Sequence, residues 1–103
     1  MPGAPELYAE LWVSLASLLR SYTAAHGLNQ DRQATVELGE TRITVRHAGK
    51  WLDLTRDEAT VYWQRENGPR GVLQMTEAGR LRSADGEEEL DIAAEQWARE
   101  LMR

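Results

Sequence analysis

The sequence predicts an α+β domain: an N-terminal helix, a six-stranded antiparallel β-meander over Thr35 to Arg82, and a C-terminal helix. Three observations predict it. Between Thr35 and Arg82, apolar and polar residues alternate with period two, the strand signal. Five turns chosen on local chemistry each set apolar residues opposite apolar residues. The flanking segments instead repeat apolar residues every three or four positions, the helix signal. Both helices are expected on one face of the sheet, because only one face is apolar.

The central hairpin is Trp51 to Thr55, a turn at Arg56 to Ala59, then Thr60 to Glu66. A four-residue turn pairs Leu54 with Val61 and Leu52 with Trp63. Trp51, Asp53, Tyr62 and Gln64 then share the opposite face. A slip of one residue would exchange the two faces, so the neighbours test the register. Upstream, a two-residue turn at Ala48-Gly49 pairs Val45 with Leu52 and Ile43 with Leu54. A turn at Gly39-Glu40 pairs Val36 with Ile43 and Glu37 with Arg42. Downstream, a loop at Asn67 to Pro69 brings Trp63 to Leu73 and Val61 to Met75. A type I turn with a left-handed glycine at Glu77 to Gly79 pairs Met75 with Leu81. The apolar face so defined is Val36, Leu38, Ile43, Val45, Leu52, Leu54, Val61, Trp63, Leu73, Met75 and Leu81.

The first helix is expected from Pro5 to about His26, stopping at Gly27 after a disordered tip at Met1 to Ala4. Leu7, Tyr8, Leu11, Trp12, Leu15, Leu18, Leu19 and Tyr22 form its apolar stripe. Its back holds Ala9, Val13, Ser14, Ala16, Ser17, Ser21 and Ala24, with Glu6, Glu10 and Arg20 as the only charges. Small uncharged residues there permit close approach of a second helix. A polar linker follows over Leu28 to Ala34. At the other end, Asp85 and Glu88 have the spacing of a capping box, with Glu87, Glu89 and Asp91 in the first turns. Leu90, Ala94, Trp97 and Leu101 form a narrower stripe, and Glu95 with Arg99 is a supporting i,i+4 pair.

A chain of 103 residues is read as one domain, residues 1–103. The absence of cysteine excludes disulfides, thiol nucleophiles and cysteine-ligated metal sites. No apolar run approaches the ~20 residues of a membrane span, and no secretory signal is visible, so a cytoplasmic address is expected. The net charge of −5 disfavours non-specific nucleic-acid and anionic-membrane binding, although all but one of the 12 basic residues are arginine.

No catalytic constellation, nucleotide-binding loop, cofactor site or metal-ligand set is visible. His26 ends a helix, and His47 is placed at the rim of the apolar face beside a turn. The acidic run Asp85 to Asp91 has no calcium-loop spacing and is explained by a helix N-terminus.

The outer sheet face is more informative. It carries Arg42, Arg46, Arg80 and Arg82 interleaved with Trp51, Tyr62 and Val72, with Arg46 opposite Trp51 as a cation–π pair. Arginine interleaved with aromatic residues suits single-stranded nucleic acid, and also suits an ordinary solvated antiparallel face.

A long helix, an antiparallel meander and a closing helix in about this length are similar to the layout of the frataxin family. That resemblance implies an acidic metal-binding protein. The family's acidic ridge lies on its first helix and first strand, and here Glu6 and Glu10 are the only acids on that helix. Of its strand motif and tryptophan-bearing strand, which would fall near Leu54 to Trp63, only Trp63 matches. No iron role is carried over.

The sequence therefore reads as a small non-enzymatic interaction or assembly domain, homodimeric, with a protein partner or itself. Its candidate contact residues are Ala9, Val13, Ala16 and Ala24 on the helix back, or Trp51, Tyr62 and Val72 on the sheet. The helix is the less costly two-fold interface, because the sheet would bring Arg42, Arg46 and Arg80 near their own copies.

Overall fold

A computed structural model of the protein describes residues 4–28 and 33–103. Helix α1 (Ala4–His26) leads into strands β1 (Thr35–Leu38), β2 (Arg42–His47), β3 (Lys50–Asp57) and β4 (Thr60–Arg65). Strands β5 (Arg70–Met75), β6 (Arg80–Ser83) and β7 (Gly86–Glu89) follow, and helix α2 (Leu90–Leu101) closes the chain. All seven strands form one antiparallel sheet in chain order. Residues 1–3 and 29–32, which hold most of the expected tip and linker, lie outside the described residues. Ala4 already belongs to α1.

Both helices cover the apolar face. Trp12, Leu15 and Leu19 of α1 and Leu90, Ala94 and Leu101 of α2 share one core with Ile43, Val45, Leu52, Leu54, Val61, Met75 and Leu81 of the sheet. Val36, Trp63 and Leu73 are half-buried against it, whereas Leu38, expected in the apolar face, is exposed. Trp12 is fully buried, and its indole N–H donates to the Gly39 carbonyl at 3.1 Å. That bond ties α1 to the end of β1.

Two registers are as expected. Ala48 and Gly49 both adopt positive φ, 49° and 85°, as a type I′ turn requires, and Ile43 faces Leu54 while Val45 faces Leu52. Met75 faces Leu81 across the turn at Glu77 to Gly79. Three other hairpins are displaced by two residues. Val36 faces Val45 rather than Ile43, because β1 and β2 continue to the Gly39–Arg42 bond and turn at Glu40-Thr41. Leu54 faces Trp63 rather than Val61, because β3 runs on to Asp57 and turns at Glu58-Ala59. Trp63 then faces Gly71, and Val61 faces Leu73, around a loop at Glu66 to Gly68. Every displacement is even, so no side chain changes face.

The strand extension at Arg56 is possible because its guanidinium is satisfied at the margin of the apolar face. It donates to the carbonyls of Glu40 and Glu58, both at 3.1 Å, and lies 5.8 Å from the Trp12 ring centroid.

The expected capping box does not form. Gly86–Glu89 is a strand, and helix α2 begins at Leu90 after Glu89, which makes no side-chain cap bond. The glutamates are drawn into the sheet by basic partners on β6. Arg82 stands opposite Glu87 and Arg80 opposite Glu89, with ion pairs of 3.4 and 3.8 Å.

Leu15 is fully buried at the centre of this cover. Leu15→Asp places an unpaired charge there, against a total stability of about 5–15 kcal/mol for a domain of this kind. Loss of the cooperative melt is expected by circular dichroism; a melt near the wild-type temperature would mean α1 does not close the core.

Candidate interaction surface

The outer sheet face collects the polar half of each strand. Register alone aligns Thr35, Arg46 and Trp51 in one row and Glu37, Thr44, Asp53, Gln64 and Arg70 in the next. Arg42, Thr55, Tyr62 and Val72 form a third row. The aromatic and aliphatic members are Trp51, half-buried, and Tyr62 and Val72, which are 47% and 53% exposed and directly opposite each other.

Four of the five arginines of this face, Arg42, Arg46, Arg80 and Arg82, are not free. Arg42 donates to both carboxylate oxygens of Asp53 at 2.8 and 2.5 Å, a bidentate pair. Arg46 reaches Glu37 at 3.2 Å and is directed there rather than over Trp51, so the expected cation–π pair is absent. Arg80 and Arg82 face Glu89 and Glu87. Each of these four guanidinium groups is thus already opposed by a carboxylate of the same sheet. Arg70 has no ion-pair partner among the described residues. It borders a depression of about 500 Å³ lined by Asp53, Thr55, Tyr62, Gln64 and Val72.

The back of α1 is a poorer surface than its sequence implies. Val13 is 54% exposed and Ala24 is exposed, but Ala9 is half-buried and Ala16 is fully buried in the core. The wider covering arc has a physical reason. Arg20, beyond Ala16 on the same side, reaches the Val36 carbonyl of β1 at 3.5 Å, so α1 rests against that edge of the sheet. The helix that packs closely on α1 is α2 of the same chain, with His26 bonded to Glu95 at 2.7 Å. Glu95 also pairs with Arg99, as expected from their spacing.

His47 is buried, at 5% exposure, rather than placed at the rim. Its position on β2 continues the inward parity of Ile43 and Val45, and neither ring nitrogen has a hydrogen-bond partner among the described residues. Among the described residues, no three His, Asp or Glu side chains gather as a metal-ligand group, and no helix is long and apolar enough to cross a membrane. Sequence reasoning had no signal for the depression, because its walls come from strand pairing rather than from a motif. No family model matches the chain, and no curated protein or solved structure matches it either.

The Arg42 hydrogen bond holds the Asp53 carboxyl below its usual range; burial opposes this, and the Thr44 hydroxyl at 2.9 Å adds to it. A lowered folded-state pKa gives stability that is fully present above the unfolded carboxyl pKa of about 4 and is lost as pH falls through the folded value. Denaturant titrations between neutral pH and acid should therefore show Asp53→Asn losing less stability below about pH 4 than the wild type. Equal slopes would contradict the Asp53–Arg42 assignment.

Proposed function

We propose that the chain is a small non-enzymatic assembly domain that pairs with a second copy through its outer sheet face. The observation that carries this reading is the adjacent, exposed pair Tyr62 and Val72 on a face whose arginines, Arg70 excepted, are opposed by carboxylates of the same sheet. A two-fold dimer presents one patch to itself, so uncompensated like charges near the axis oppose it. Arg42, Arg46 and Arg80 would be such charges, but Asp53, Glu37 and Glu89 offset them within each sheet. Tyrosine is a favoured anchor at such contacts, since its ring is apolar and its hydroxyl keeps a polar partner. The depression beside Tyr62 and Val72 gives a ring from the second copy a concave seat.

The helix back offers less. With Ala16 in the core, its apolar contribution reduces to Val13 among serines and small residues. The same reading takes the chain as cytoplasmic, in keeping with its lack of cysteine, and assigns it no cofactor.

Sedimentation equilibrium tests the proposal. The wild type is expected to dimerise, Tyr62→Glu to be monomeric yet folded, and Val13→Glu to dimerise as the wild type does. A monomeric wild type overturns self-association, and dissociation by Val13→Glu alone moves the interface to the helix.

A further inference from the structure

Strand β5 is longer than the strand that covers its outer side. It pairs with β4 along Arg70 to Gln74, but its ladder with β6 contains only Gln74–Arg82 and Met75–Leu81. Beyond that point the chain of β6 turns away at Ala84-Asp85 into β7. In an antiparallel ladder, backbone groups point alternately to one neighbour and the other. The bonds Arg65 N–H to Pro69 C=O, 2.8 Å, and Met75 N–H to Ala59 C=O, 2.7 Å, fix that alternation. Gly71 and Leu73 are directed at β4, and Arg70 and Val72 are directed away from it. Among the described residues, no backbone group meets the N–H or C=O of Arg70 or Val72 on that side. A short unpaired edge therefore lies open inside the sheet.

This edge opens into a groove of about 380 Å³ between β5, the β6–β7 turn and α2. Its apolar wall is Trp63, Leu73 and Trp97, the two indoles being tilted against each other with centroids 6.4 Å apart. The Trp63 ring lies so close to β5 that a Cβ at Gly71 would come within 2.5 Å of its indole nitrogen, so glycine is required there. The polar wall holds Asp85 and Glu88, neither of which has a basic partner among the described residues. Elsewhere on these strands the carboxylates of Glu87 and Glu89 are paired.

We propose that this notch accepts an extended, basic segment of another protein, which adds to β5 as a short strand. Val72 and Arg70 supply the backbone bonds, the Trp63–Trp97 wall takes an apolar or cationic side chain, and Asp85 with Glu88 selects positive charge. Strand addition draws affinity from main-chain bonds and specificity from pockets for alternate side chains, and both are present here. A second copy of this chain does not fit. Its edge strand β7 is glutamate-rich and would face Asp85 and Glu88, and its edge strand β1 is engaged by Arg20 through the Val36 carbonyl. The proposal does not rest on the sheet-face dimer, although the groove and the outer-face depression share Trp63, Gly71 and Val72.

The probe is a blocked pentapeptide alternating arginine and valine, with an alternating glutamate–valine peptide and a backbone N-methylated arginine–valine peptide as comparators. Binding is followed by the amide resonance of Val72 and the indole resonance of Trp97, and dimerisation is monitored separately by sedimentation. Saturable binding is expected, with the Val72 amide shifted as a hydrogen-bond donor. The combined Asp85→Asn, Glu88→Gln variant, checked for an unchanged melt, should bind about tenfold or more weakly. The N-methylated and acidic peptides should not bind. Absence of saturable binding, equal binding of the N-methylated peptide, or equal binding of the acidic peptide would each overturn the proposal.

Discussion

Keeping one face of the sheet dry constrains every strand in this protein. Leu15 and Leu19 of α1, with Trp12 beside them, lie on that face and are fully excluded from water. Each large apolar side chain so buried contributes about 1.5–3 kcal/mol. A one-residue slip in any hairpin would bring Asp53 or Thr44 under the helix and leave Leu52, Leu54 or Val61 in solvent. Two-residue shifts have no such penalty, and hydrogen bonding then decides among them. Two of the three shifted registers lengthen their ladders, up to Gly39–Arg42 at one turn and Asp57–Thr60 at another. Parity is strongly specified by the core, and exact register only weakly.

The charged residues at the margins of the dry face show how that rule is accommodated. Arg56 and Arg65 both point inward by parity, yet neither is left unpaired. Arg56 reaches backbone carbonyls and the Trp12 ring, and Arg65 pairs with Glu66 and with Glu100 of α2. Long guanidinium side chains carry their charge out of the core while their stems cover it. His47 has no such reach, and it stays buried with its nitrogens unpaired among the described residues.

The helices, the single apolar face and the outward position of Trp51, Tyr62 and Val72 were legible in the sequence, since all depend on period alone. Strand ends were not. Arg56 and Asp57 look like turn residues until the partners of Arg56 are known. The run of glutamates before Leu90 looks like the start of a helix until Arg80 and Arg82 are seen across the hairpin. The small residues of α1 pointed to a second helix on its back, whereas Ala16 is buried because that side of α1 rests on the β1 edge of the sheet. The notch on β5 left no sequence signal, because it arises from a difference in length between β5 and β6. The exposed Tyr62–Val72 pair, formed with β4, and the open edge, left by β6, meet on the same strand.

Amide hydrogen exchange of the wild type, resolved residue by residue along β5, tests the central claim that pairing parity and unequal strand lengths build this surface. Gly71 and Leu73, which point to β4, are expected to exchange slowly, and Arg70 and Val72 to exchange much faster in the free protein. Equal protection at all four amides, or slow exchange at Val72, would contradict the open edge, and fast exchange at Gly71 and Leu73 would contradict the register.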